Sequence, residues 1–130
     1  ESRILPALSS PRSVVIVDRY LDSSLAYQGV ARGLGIRSIL DLHRREPLTT
    51  VPHLSFYIKI DTKTSWERQA KRGDKKDYFE KEKNDFYEKL ISGYDQAASI
   101  FPKRFCVLDG VKAPEALAQE IAQRVDQELD

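Results

Sequence analysis

An arginine set directly behind a run of β-branched residues is the first place in this sequence where chemistry could sit. Val14-Val15-Ile16-Val17 runs into Asp18-Arg19-Tyr20, and Ser23, Ser24, Tyr27 and Gln28 follow close behind. A guanidinium presents a planar fork of donors that matches a phosphate bidentately, and it stays charged at any working pH. Hydroxyls, an aromatic ring and an amide just beyond it are the groups needed to hold a ring beside that phosphate. Position alone suits Arg19 equally well to a phosphate site and to a structural ion pair with Asp22 or Glu46. Tyr27, taken alone, reads as a core aromatic on an amphipathic helix.

A second basic pair, Arg68 and Arg72, is spaced to share one helix face. Like charges so placed repel, which suggests a shared anionic partner; a solvated face is the plainer alternative. Acidic residues also close the apolar runs, as Asp18-Arg19, Asp61 and Asp109-Gly110. Aspartate there can serve a ligand site, a turn or a helix cap.

The elements that must position these residues follow from periodicity. Val14–Val17 is short and wholly apolar, as expected of a strand buried on both faces. Leu54–Ile60 predicts a second strand, and Arg104–Leu108 a third. Helices are expected around Ile4–Leu8, over Ser23–Ala31, over Ile36–Arg45, after a cap at Asp61 or Thr62, from Tyr78 to Ser99, and from Pro114 to the end. The long helix carries Phe79, Phe86, Leu90, Tyr94 and Ala97 on one stripe. Strands alternating with helices imply an α/β fold, a parallel sheet flanked by helices, in which ligands bind beyond the carboxyl ends of the strands. No repeat or linker divides the chain, so residues 1–130 are expected to form one domain.

Composition narrows the function classes. Of the 130 residues 41% are hydrophobic and 32% charged, as in a globular protein, and the net charge is only +1. That balance gives no general attraction to nucleic acid or to anionic membranes, so neither is expected as a partner. No apolar run approaches the ~20 residues of a membrane span. The single cysteine, Cys106, lies in an apolar run and is read as an inert buried thiol. His43 and His53 are read as structural or solvent-facing. The chain opens on Glu1 rather than Met; the gene is expected to begin earlier, which leaves a targeting signal upstream open.

The block Asp18-Arg19-Tyr20-x-x-Ser23-Ser24-x-x-Tyr27-Gln28-Gly29 resembles the nucleotide-binding segment of thymidylate kinases. The likeness continues through Arg32-Gly33-Leu34-Gly35, Leu54–Asp61, Glu67-Arg68-x-x-x-Arg72-Gly73, Asp77-Tyr78-Phe79-Glu80-x-Glu82 and Val107-Leu108-Asp109-Gly110. It implies a P-loop-kinase-like sheet and transfer of phosphate from MgATP to dTMP, giving dTDP and ADP, with ATP and Mg²⁺ required. It places Arg19 on the dTMP phosphate and Asp18 near the transferring group or its Mg²⁺ shell. Ser23, Ser24 and Gln28 would lie at the base, and Tyr27 under the deoxyribose, where its bulk disfavours a 2′-hydroxyl. Arg68 and Arg72 would approach the ATP phosphates, with Arg72 taking part in catalysis, and Asp109 and Gly110 would lie at the ATP site. A lid is expected over about residues 72–82, with Lys75, Lys76, Glu80 and Glu82 in it. Many bacterial members carry a lid arginine where this sequence has Lys75, Lys76 or Tyr78, and a lysine supplies a point charge rather than a fork. A cytoplasmic homodimer is also implied.

No glycine in the sequence is followed by lysine, so the P-loop motif G-x-x-x-x-G-K-[ST] is absent. The chain is therefore expected to be the C-terminal part of a nucleoside-monophosphate kinase domain, lacking the N-terminal strands and inactive by itself. Two rivals remain at this point: a related kinase acting on dUMP, dCMP or a deoxynucleoside, and a kinase-like module that binds nucleotide or dimerises without chemistry.

Overall fold

A computed structural model describes residues 3–72 and 80–129, with the side chains of residues 80–82 outside the description. The expected lid residues Lys75 and Lys76 lie outside the described residues. Glu80 and Glu82 fall in the first turn of a long helix, and their side chains lie outside the description.

The run Val14–Val17 does not become a strand. It has no regular secondary structure and joins no ladder among the described residues. Ile16 is 92% exposed, and Val14 and Val17 are exposed as well. This corrects the expectation of a buried strand, and the reason is geometric. A strand buried on both faces needs hydrogen-bonding neighbours along its edges, and no described segment lies alongside this one.

The other two apolar runs do pair. Ser55–Lys59 (β1) and Phe105–Asp109 (β2) form a parallel two-stranded sheet, with Ser55 opposite Phe105 and Lys59 opposite Asp109. A parallel pair requires a crossover, and helices supply it. These are α4 (Thr62–Lys71) and α5 (Glu80–Ile100). The Asp61 side chain caps α4 by accepting from the Thr64 N–H at 2.7 Å, as its position after a strand predicts. Pro114 opens the last helix, α6 (Pro114–Leu129), where its missing N–H costs nothing.

Before the sheet come α1 (Ile4–Leu8), α2 (Leu21–Ser24) and α3 (Ile36–Leu42). Between α2 and α3 the chain widens into a π-helix, Leu25–Ala31, where the Arg32 N–H reaches the Tyr27 carbonyl at 2.8 Å. Runs of this kind are rare and gather at functional sites. The sequence periodicity predicts a helix over Ser23–Ala31 but carries no sign of the widened turns.

The core lies where the π-helix, α3 and α5 meet. Leu21, Leu25, Ile39 and Ala97 are buried there, with Phe101 and Phe105 packed against them. Gly93 permits the close crossing of α5 over the π-helix. A Cβ at that position would stand 2.8 Å from the Ala26 Cα and 2.9 Å from its carbonyl oxygen, backbone atoms that cannot swing aside.

Candidate functional site

The candidate site is built around α2 and the π-helix, and three kinds of contact hold it. The first is ionic. Arg104, at the entry to β2, donates to both carboxylate oxygens of Asp22, at 2.5 and 2.7 Å, and to the Ser55 hydroxyl at 2.7 Å. Ser55 in turn donates to Asp22 at 2.6 Å. The guanidinium lies over Phe101 and Phe105, at 4.3 and 5.3 Å from the ring centres. Asp22 is therefore tied to the strands, and it is not the partner of Arg19.

The second contact is a hydroxyl pair. Ser23 Oγ and the Tyr94 phenol oxygen of α5 lie 2.8 Å apart. The Tyr94 ring stacks on Tyr57 of β1, with centres 4.9 Å apart and planes 21° from parallel. Burial raises Tyr94 above the ordinary tyrosine range, the Ser23 hydrogen bond opposes that shift, and Tyr27, Arg19 and Asp22 all act on it through their charges. The phenol thus lies among the expected site residues.

The third is a cation over a ring. The Arg19 guanidinium sits 5.4 Å from the centre of Tyr27, whose ring is also tilted against Phe86 at 6.1 Å. Neither Asp22 nor Glu46 forms an ion pair with Arg19 among the described residues: Asp22 pairs with Arg104, and Glu46 accepts from Thr49. Arg19 is exposed and has φ of +64°, the left-handed region that a side chain disfavours. Strain of this kind persists where the surroundings impose it and gathers at ligand sites. Asp18 beside it is exposed, with no hydrogen bond or ion pair among the described residues. Gln28 is exposed on the next turn, and the Ser24 hydroxyl makes only a long 3.4 Å contact to the Tyr20 carbonyl.

A second group of expected residues gathers at the carboxyl ends of the strands. Arg68 donates to the Gly110 carbonyl at 2.8 Å, which ties α4 to the turn after β2. The Asp109 carboxylate accepts from the Val111 N–H at 3.0 Å and shapes that turn. Gly110 is required there, because a Cβ would meet the Lys59 carbonyl oxygen at 2.8 Å and the Ile60 Cγ2 at 2.6 Å. Arg72 is exposed at the C-terminal end of α4. The helices flanking residues 73–79 are joined by Trp66, which donates to Asn84 at 3.1 Å and packs edge-on to Tyr87 at 5.4 Å. Among the described residues no cluster of three or more His, Cys, Asp or Glu side chains could hold a metal ion.

The family model described as thymidylate kinase matches residues 1–121. The chain belongs to the thymidylate kinase family. A thymidylate kinase of Mycoplasmopsis pulmonis is 40% identical over 120 residues, which cover 91% of this chain and 51% of the relative. One from Thermoanaerobacter sp. (strain X514) is 38% identical over 112 residues, 86% of this chain and 54% of the relative. The chain thus spans little more than half the length of these curated relatives. The crystal structure of thymidylate kinase from Ehrlichia chaffeensis superposes with a TM-score of 0.68 at 23% identity, covering 97% of this chain and 56% of that one. That likeness establishes a thymidylate kinase fold, that of a P-loop kinase, here with the sheet reduced to two paired strands among the described residues.

Tyr94 and the Asp22–Arg104–Ser55 network are what sequence reasoning missed in this candidate site. Tyr94 reads as one more member of the apolar stripe of α5, and Asp22 reads as a possible partner for Arg19. Nothing in sequence spacing pairs Asp22 with Arg104 or Ser23 with Tyr94, since the partners lie far apart along the chain.

The same cluster yields a pH prediction. Burial, followed by the Asp95 carboxylate and Tyr94, pushes Tyr57 up to about 12 from its ordinary value of 10.0. Asp95 is held in place by Lys59, whose Nζ reaches both of its oxygens at 2.8 Å. The folded protein keeps the phenolic proton while the unfolded chain releases it, so the folded state binds more protons across this window. The Tyr57 contribution to stability is complete below pH 10 and declines as pH rises towards 12. Melting temperature should therefore fall more steeply with alkaline pH in the parent protein than in Tyr57→Phe. Parallel curves for the two would remove Tyr57 as a cause.

Proposed function

We propose that the protein carrying this chain transfers the γ-phosphate of MgATP to dTMP, giving dTDP and ADP. The observation that carries the reading is the placement of Arg19 over Tyr27, beside the Ser23–Tyr94 hydroxyl pair. A cation over a ring, with no ion-pair partner among the described residues, suits a monophosphate. The ring beneath it suits a deoxyribose, and the hydroxyls suit the edge of a base.

Phosphoryl transfer asks the protein for positioning and positive charge rather than covalent chemistry. In this reading Arg19 holds the acceptor phosphate, and Asp18 lies near the oxygen that attacks. Ser24, whose hydroxyl makes only the long contact to the Tyr20 carbonyl, and the exposed Gln28 meet the base with Ser23. Arg68 and Arg72 stand at the donor side, Arg68 held by Gly110 and Arg72 exposed at the end of α4, where only a long 3.5 Å contact to the Arg68 carbonyl would have to be given up to approach the ATP phosphates. Lys75, Lys76, Glu80 and Glu82 are assigned to the lid by family likeness alone. Asp109 and Gly110 shape the turn at the donor site. Mg²⁺ arrives with ATP as part of the substrate, and Asp18 lies near its shell. A cytoplasmic homodimer is part of the proposal, supported by family membership; among the described residues no helix is long and apolar enough to cross a membrane.

A second reading applies to the 130-residue segment by itself: it binds nucleotide without turnover. The absence of any glycine followed by lysine favours it, because backbone amides and a lysine of the P-loop cradle the donor phosphates in such kinases.

The test is turnover by the full-length protein with MgATP and dTMP, dUMP or UMP as acceptor. dTMP should be preferred over dUMP, and UMP should be the poorest because its 2′-hydroxyl meets Tyr27. Equal turnover of UMP would defeat the role given to Tyr27, and no turnover of any acceptor would defeat the reading.

A further inference from the structure

The α2 turn is pinned from both sides. Asp22 is locked to Arg104 and Ser55 of the sheet, and Ser23 is bound to Tyr94 of α5. The Tyr94 ring also stacks on Tyr57. A lone serine hydroxyl rotates to suit any neighbour, donating or accepting. A phenol is the more acidic of the two hydroxyls and hence the better donor. When the Tyr94 O–H donates to Ser23 Oγ, the serine proton is left to point elsewhere.

We propose that Tyr94 is a positioning residue of the nucleotide site, and that its O–H fixes Ser23 as a donor towards a carbonyl on the bound base. The proposal rests on the thymidylate reading above. A tyrosine phenol is protonated over the whole neutral range, and burial only raises it further, so the donor is constant. The consequence is a polarity preference: a base edge with a carbonyl is accepted, and one with an amine in its place meets a second donor. Thymine and cytosine differ in that way.

The experiment is titration of dTMP and dCMP against the full-length protein, as wild type, Tyr94→Phe, Ser23→Ala and the double variant. Tyr94→Phe keeps the ring and its stack on Tyr57, so the fold is spared. It should weaken dTMP about 3- to 10-fold, the effect of one hydrogen bond between neutral groups, while dCMP changes little, so that the preference narrows. Ser23→Ala should behave alike, and the double variant should be no worse than the weaker single one. A purely structural role for Tyr94 would lower both affinities together and leave their ratio unchanged, which would overturn the proposal. Additive losses in the double variant would overturn it too. A wild-type protein that binds no dTMP would overturn the thymidylate reading and this proposal with it, an outcome visible before any variant is made.

Discussion

Arg104→Ala should cost the fold about 3–5 kcal/mol, the range for removing one partner of a buried ion pair. The side chains of Arg104 and Asp22 are only 10% and 13% exposed, so solvent does little to screen the pair or to replace a lost partner. Alanine would leave the Asp22 carboxylate with the Ser55 hydroxyl as its remaining side-chain donor, and would strip the cation from the faces of Phe101 and Phe105. The Nε of Arg104 is buried without a hydrogen-bond partner, which weakens the native network and favours the lower end of the range. Lys59–Asp95 provides the contrast. Its side chains are 41% and 44% exposed, and Lys59→Ala should cost less than about 1 kcal/mol. Denaturant midpoints of the two variants decide the matter. A loss under about 1 kcal/mol for Arg104→Ala would put this pair in the surface class, where α2 would need some other anchor.

The two ion pairs also mark what a sequence can disclose. Local devices were legible because their cause is local. Asp61 caps α4 and Pro114 opens α6, and each depends only on residues within a turn or two. The stripe on α5 was legible for the same reason: Leu90 and Ala97 are buried, and Tyr94 is half-buried beside them. What failed depended on partners elsewhere. Val14–Val17 has the composition of a buried strand, but a strand exists only when another edge meets it. Asp22 and Arg104 lie 82 residues apart, and Ser23 and Tyr94 lie 71 apart, so no spacing rule could join them. The motif around Arg19 was legible as a type of chemistry, while the groups that hold its neighbours in place were not. A sequence motif records the side chains a ligand would meet, and the network behind them becomes visible only once the chain has folded.

Arg19→Ala should weaken dTMP binding by about 2–3 kcal/mol, the loss of charge-assisted hydrogen bonds to a phosphate, or roughly 30- to 160-fold in Kd. Its effect on stability should be small, within about 0.5 kcal/mol, because Arg19 is exposed and has no ion-pair partner to lose among the described residues. Arg19→Lys separates charge from geometry: it restores the cation without the fork, so affinity should fall between those of the parent and the alanine variant. Arg19→Gly tests the backbone. At φ of +64° glycine is relieved of the steric cost an arginine bears, so this variant should melt at or above the parent's temperature. It should bind dTMP as poorly as the alanine variant. Titration of dTMP and thermal melting on all three variants suffice, and unchanged affinity in Arg19→Ala would remove Arg19 from the site. Affinity that collapses while stability holds or rises in Arg19→Gly would mean that the strained arginine contributes to binding and not to the fold, as expected of a residue kept in the left-handed region by its function.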